Sequence, residues 1–183
     1  AARTVTERPA PPEESISLFL VERASTDGIS MTPLKSVADD RLHAVEFQDA
    51  VVPPDAVLGE EGAGWPALQG LFAVGATAKC AEMLGGSRRV LDMTVEYVKD
   101  RVQFGRPVAT FQAVQHRCAD MAIEVQAARQ LTYQAAWRLA QGLDARREVA
   151  IAKSWLSDMF PRVCAEAHQA HGAIGFTREH DLQ

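Results

Sequence analysis

Seven consecutive residues, Arg101-Val102-Gln103-Phe104-Gly105-Arg106-Pro107, combine two guanidinium groups, a side-chain amide, an aromatic plate and a turn-forming glycine. Arginine offers five donors in a fixed fork that matches phosphate oxygens, and the Phe104 ring can stack on another flat system. This composition suits a phosphate grip beside a stacked ring. The competing reading is that both arginines sit at a helix C-terminus, favour its dipole and stay solvated. A second candidate is His168 to Phe176, H-Q-A-H-G-A-I-G-F, where a helix ends in glycines with Gln169 one turn back. Glycine there lets a ligand approach the backbone. A glycine-terminated helix with an apolar contact from Ile174 or Phe176 explains the same residues without a ligand.

Other groups are weaker candidates. His168 and His171 stand one turn apart with His180 beyond, a spacing that can hold a metal, but no third ligand of fixed geometry is evident. His43 and His116 have no visible partner and read as surface or packed histidines. Glu82 lies among Ala81, Met83 and Leu84 and could be a base if buried; at the edge of an apolar stripe it is solvated instead. The chain has no Gly-x-Ser-x-Gly, no Walker-type loop and no dinucleotide glycine fingerprint.

The elements that carry these residues fall into two regimes with a switch near residue 60. Residues 1–14 read as a mobile lead-in. Ile16–Arg23, Ile29–Leu34 and Leu42–Asp49 read as strands, with Pro33 weakening the second, and together as an antiparallel meander. After Gly64 the period becomes helical. Leu68, Leu71, Phe72, Ala76, Cys80, Met83, Leu84, Leu91, Val95 and Val98 form one stripe from Trp65 to about Arg101. Gly85-Gly86 in its middle disfavours helix by about 1 kcal/mol per residue, which a close approach of another helix would offset. A second helix is predicted from about Thr110 to Gln141 and a third from about Ala145 to Ala170. Short connections imply an up-and-down bundle. Thr177 to Gln183, a cap residue followed by acids, reads as the start of a fourth helix. The fold class is therefore mainly α with a small antiparallel β portion: a partial β domain over 1–60 and a long-helix bundle over 61–183.

Composition narrows the function classes. A chain of 183 residues, 47% apolar and 23% charged, is an ordinary globular sequence. Its net charge of −5 argues against a nucleic-acid partner. No apolar run approaches the roughly 20 residues of a membrane span. Three cysteines at 80, 118 and 164, odd in number and without metal-like spacing, read as free thiols in a reducing, cytoplasmic compartment.

These features in this order resemble the acyl-CoA dehydrogenase family over nearly the whole chain. Residues 97–121, Y-V-K-D-R-V-Q-F-G-R-P-V-A-T-F-Q-A-V-Q-H-R-C-A-D-M, are similar to the family's most characteristic helix–turn–helix segment. Q-A-H-G-A-I-G-F-T-R-E-H-D-L is similar to its second signature near the C-terminus. I-S-L-F-L-V-E, G-I-S-M-T-P-L and F-Q-D-A-V-V-P-P-D-A-V-L-G are similar to the second half of its β domain. The resemblance implies FAD and a homo- or hetero-tetramer, a dimer of dimers in which one subunit's bundle grips the adenosine end of its neighbour's FAD. Carried over by motif, Arg101 and Gln103 would meet the pyrophosphate and Phe104 would pack beside the cofactor. Gln112 would reach the adenosine portion, and Gln169, Gly172 and Ala173 would line the neighbouring FAD. Ala173 stands where the family usually has a second glycine.

The reaction so implied is α,β-dehydrogenation of an acyl-CoA, with electrons passed to an electron-transfer flavoprotein or similar acceptor. The resemblance places the usual catalytic Glu beyond Gln183 and the strands holding the flavin ring before Ala1. The alternative base position falls at about Gly75, and the Asp and Arg of many members fall at about Ala73 and Ala76. The catalytic residue is therefore unknown. Three other readings remain open here: a non-catalytic FAD-clamping partner subunit, an acyl-CoA oxidase, and a plain helical interaction module.

Overall fold

The structure, a computed structural model, describes residues 2–3, 11, 15–36, 41–177 and 179–182. Its contacts divide the chain into two units, Ala1–Leu71 and Phe72–Gln183.

The first unit holds five short strands: β1 (Ala2–Arg3), β2 (Ile16–Phe19), β3 (Ile29–Leu34), β4 (Leu42–Phe47) and β5 (Val57–Leu58). β2 lies between β1 and β5, antiparallel to both, while among the described residues β3 and β4 pair only with each other. The expected meander is thus corrected, because β2 does not pair with β3. After Phe19 the chain turns through a 3₁₀ segment at Arg23–Ser25, too wide a connection for a tight hairpin. The backbone of β2 is satisfied instead by the 56–64 stretch, through Leu20 N–H to Ala56 O (2.8 Å) and Gly64 N–H to Ile16 O (2.7 Å). Ser17, buried in β2, accepts from Gly62 N–H at 2.8 Å, so its hydroxyl does not go unpaired.

Three long helices follow: α1 (Trp65–Asp100), most of which lies in the second unit, and α2 (Gln112–Ala140) and α3 (Arg146–His171), which lie wholly in it. Pro66 sits in the first turn of α1, where its missing N–H costs nothing. Buried side chains recur at helical spacing on α2 (Met121, Val125, Ala128, Ala135) and on α3 (Val149, Ala152, Leu156, Met159, Val163, Ala167). Ion pairs Arg117–Glu166 and Arg162–Glu124 tie α2 to α3, and Arg138–Glu148 spans the connection between them. Half-exposed pairs of this kind contribute about 0–1 kcal/mol each, so the apolar seam carries the packing.

α1 keeps most of its expected stripe, with Cys80 in the core and Ala76, Met83, Leu84 and Leu91 packed against it, and departs from it at Leu71 and Phe72. Its buried positions are Thr77, Cys80, Ser87, Thr94 and Val98, whereas Leu71 and Phe72 are exposed. The three hydroxyls donate to the carbonyls of Ala73, Met83 and Val90, four residues back, at 2.7–2.8 Å. Each small polar residue is therefore satisfied within the helix and can sit in a dry interface. Gly86 is the glycine that another helix approaches: a Cβ there would lie 3.1 Å from the Phe160 ring of α3, while Gly85 faces open space. The fourth helix is also corrected. Thr177 Oγ1 donates backward to Ile174 O (3.0 Å) rather than capping forward, and residues 179–182 form turns; Arg178 and Gln183 lie outside the described residues. All three cysteines are free, and burial pushes each thiol above its ordinary value.

Candidate functional site

Between α1 and α2 the chain makes a minimal hairpin, β6 (Val102–Gln103) and β7 (Arg106–Pro107), in which Val102 pairs with Pro107 and Gln103 with Arg106. Its two-residue loop has positive φ at both positions, 54° at Phe104 and 76° at Gly105. This is the type I′ pattern, whose backbone twist matches that of the paired strands. Glycine adopts it freely, but for Phe104 the left-handed conformation is strained. The hairpin is held at its base: Arg101 N–H donates to Tyr97 O (2.9 Å), Val108 N–H to Arg101 O (2.8 Å) and Thr110 Oγ1 to Pro107 O (2.7 Å). Arg106 lies 4.2 Å over the Phe111 ring, and Phe104 stands edge-on to it at 6.0 Å with 91% of its surface exposed.

The second limb is the end of α3. Gly172 turns the chain with φ 66°, ψ −145°, and its N–H donates to His168 O; a 3₁₀ turn then runs from Gly172 to Phe176. Ala173 is not among the described residues with positive φ, so its methyl imposes no backbone strain. Tyr97 of α1 fastens this limb. Its ring stacks on His171 at 4.4 Å, and its hydroxyl donates to His171 O at 3.2 Å.

The two limbs meet at a cavity of about 330 Å³ lined by Arg101, Gln103, Gln169, Gly172 and Ala173. Five of the seven residues singled out from the sequence thus share one concavity. Phe104 and Gln112 do not line it: the first is at the hairpin tip, and the second opens α2 and is exposed. Arg117, which local motif reading passed over, brings a second guanidinium from α2, and Tyr97 and His171 add to the wall together with apolar residues such as Val108 and Val114. Nothing local to its own helix marks Arg117 as a member of the site.

Among the described residues no carboxylate lines the cavity. Arg117 is ion-paired with Glu166, whereas among the described residues no carboxylate pairs with Arg101. A concave wall with an uncommitted guanidinium, side-chain amides and an open glycine backbone is suited to an anionic ligand with polar edges. A dinucleotide's pyrophosphate and adenosine portion have that chemistry, so the donor set fits FAD. A Cβ built on Gly172 would meet nothing within 4 Å, which leaves its backbone approachable.

The remaining candidates are not drawn in. Glu82 is exposed and holds Lys79 at 2.8 Å. Among the described residues no group of three or more His, Cys, Asp or Glu could hold a metal. His43 and His116 are exposed on β4 and α2. No helix of the described residues is long and apolar enough to cross a membrane.

Comparison with known proteins bears on the same segments. A family model described as acyl-CoA dehydrogenase, C-terminal domain, matches residues 62–183. The short-chain-specific acyl-CoA dehydrogenase of Megasphaera elsdenii is 40% identical over 136 residues, covering 74% of this chain and 36% of that enzyme. Among solved structures, butyryl-CoA dehydrogenase from Megasphaera elsdenii matches with a TM-score of 0.90 and 32% identity, over 99% of this chain and 47% of that one. The FAD complex of PigA matches with a TM-score of 0.87 and 28% identity, over 96% and 46%. The chain spans less than half the length of these relatives. Since the matched model takes in all three helices and both limbs of the cavity, the chain belongs to the acyl-CoA dehydrogenase family.

Proposed function

We propose that this chain contributes the FAD-clamping part of an FAD-dependent acyl-CoA dehydrogenase, an oxidoreductase that desaturates the α,β bond of an acyl-CoA thioester. The observation that carries this is the convergence of Arg101, Gln103, Gln169, Gly172 and Ala173 on one cavity that no carboxylate among the described residues lines. When bound, FAD supplies the hydride acceptor. The chain's own part is binding and orientation. Arg101 and the Gln103 amide hold the pyrophosphate, while Gln169 and the Gly172–Ala173 backbone hold the adenosine portion. Phe104 at the hairpin tip and Gln112 at the start of α2 extend the grip outside the cavity. The bundle acts on a neighbouring subunit's cofactor in a homo- or hetero-tetramer, with an electron-transfer flavoprotein or similar protein as acceptor. Free thiols fit a cytoplasmic setting.

A second reading has its own support. Ala73, Gly75 and Ala76 carry no ionisable group on α1, and Glu82 is exposed and paired with a lysine. A subunit that clamps FAD while its partner supplies the base would look the same.

Flavin titration of the purified chain tests the grip. Arg101→Ala should weaken FAD binding about tenfold or more, the worth of one charge-assisted hydrogen bond. Unchanged affinity in Arg101→Ala and Gln169→Ala would sink the assignment. Adding a panel of saturated acyl-CoAs to the longest available form of the protein then separates the readings: a bleached flavin band marks a competent dehydrogenase, and a band that no acyl-CoA bleaches marks the clamping subunit.

A further inference from the structure

His171 is the last residue of α3 and the one immediately before the Gly172 turn. It is 4% exposed. Its ring is held on two sides, stacked on Tyr97 at 4.4 Å and edge-on to His180 at 4.7 Å. Nδ1 lies 2.9 Å from Ala167 O, and a carbonyl only accepts, so Nδ1 carries the proton. Nε2 is buried and has no hydrogen-bond partner among the described residues. In the neutral ring this nitrogen is a lone pair with nothing to accept, a modest cost. In the protonated ring it becomes a donor and a charge with nothing to receive it, which is far more expensive.

We propose that His171 is a positioning residue, holding the Gly172–Ala173 limb of the cavity in place only as the neutral Nδ1–H tautomer, so that acid releases the limb and weakens the ligand grip. The ligand half of this inference rests on the FAD reading above. Among the described residues no carboxylate pairs with the ring, and the Ala167 carbonyl on Nδ1 is the facing group that favours a cation. From α1 come the neutral Tyr97 phenol and, across the shared cavity, Arg101; from α2 comes Arg117, already committed to Glu166. From α3 comes His168 and from the following segment His180, both imidazoles, while Glu179 and Asp181 of that segment are exposed. Burial, above all, pushes the His171 imidazole below its ordinary value of 6.5, and His180 and His168 act in the same sense against the Ala167 hydrogen bond. The docked limb therefore binds fewer protons than the released one. Docking is at full strength above about pH 6.5 and declines as pH falls below it.

The test compares the 183-residue chain with His171→Phe, which keeps a ring for Tyr97 and cannot titrate. FAD affinity is measured at pH 7.5 and 5.5, with amide exchange of residues 172–176 at both. For the wild type, affinity falls by up to about tenfold between the two pH values, the limit for one proton per pH unit below 6.5. The ratio of the two affinities stays within about twofold in His171→Phe, whatever its absolute affinity. An equal acid loss in both proteins, or none in the wild type, overturns the proposal. If FAD binds neither protein at any pH, the cofactor reading fails; the positioning role then stands if residues 172–176 loosen in acid only when His171 is present, and falls if they do not. Should His171→Phe not fold, imidazole NMR of the wild type decides. His171 titrating below 6.5, together with the loosening of 172–176, supports the role, and titration at or above 6.5 refutes it.

Discussion

Replacing Phe104 with Asn is expected to make the protein more stable and its cofactor grip worse. Phe104 occupies the first central position of a type I′ turn at φ 54°, where an L-residue with a bulky side chain pays about 1–2 kcal/mol. Asn tolerates that conformation, and Asn-Gly is the preferred pair for this turn. Against the gain stands the edge contact with Phe111 at 6.0 Å, worth about 0.5–1.5 kcal/mol when such pairs are desolvated. With 91% of Phe104 exposed, most of that contact energy is absent. The net expectation is a stabilisation of about 1 kcal/mol, or a rise in Tm of roughly 2–4 °C for a chain of this size. Urea unfolding followed by circular dichroism measures it, and FAD titration of the same sample measures the loss of the aromatic plate. Phe104→Asn that is less stable than the wild type by 1 kcal/mol would refute the reasoning, because Phe104 would then be held by packing rather than kept against strain for binding.

Other expectations follow from single positions. Gly172→Ala forces a side chain into φ 66°, ψ −145°, at the edge of a region only glycine readily populates, and should cost about 1–3 kcal/mol in thermal unfolding while loosening the cavity; Ala173→Gly should change stability by far less. Gly85→Ala, on an open helix face, should stabilise by about 1 kcal/mol, and Gly86→Ala by less, since the Phe160 ring 3.1 Å away must shift. Denaturant midpoints rank the two directly. Leu156→Ala, fully buried in α3, should cost about 2–5 kcal/mol by the same assay; a loss under 1 kcal/mol would mean the seam between α2 and α3 is not the core of the bundle.

The helices were legible because their signals are local. Period, Gly142, Gly172 and the Gly105-Arg106-Pro107 corner place all their ends within about two residues of those observed. The β pairing was not, because nothing near Ile16 announces that its partner lies at 57–64. The α1 stripe was legible at Ala76, Cys80, Met83, Leu84, Leu91 and Val98, but hydropathy also ranks Leu71 and Phe72 above Ser87 and Thr94, and cannot see that a hydroxyl bonded to the carbonyl four residues back behaves as a small inert group. The cavity's members were legible as two separate motifs joined by a family resemblance. His171 drew attention only as half of a metal-like pair with His168, since its actual neighbour, Tyr97, is 74 residues away. Arg117 was invisible for the same reason, joining the site only when α2 folds beside the other two elements.

The β3–β4 ribbon has a consequence for handling the protein. Among the described residues its two strands pair only with each other, so the backbone groups along each outer side have no strand partner there. Leu34, Leu42, Val45 and Phe47 are all at least 45% exposed on it. The two sides are not equally adhesive. Pro33 lacks a backbone donor on β3, which blunts strand-to-strand addition there, while β4 has no such interruption. Self-association at high concentration should therefore grow from the β4 side. A lysine in place of Val45 is the change that would keep stock solutions clear without touching the helical bundle.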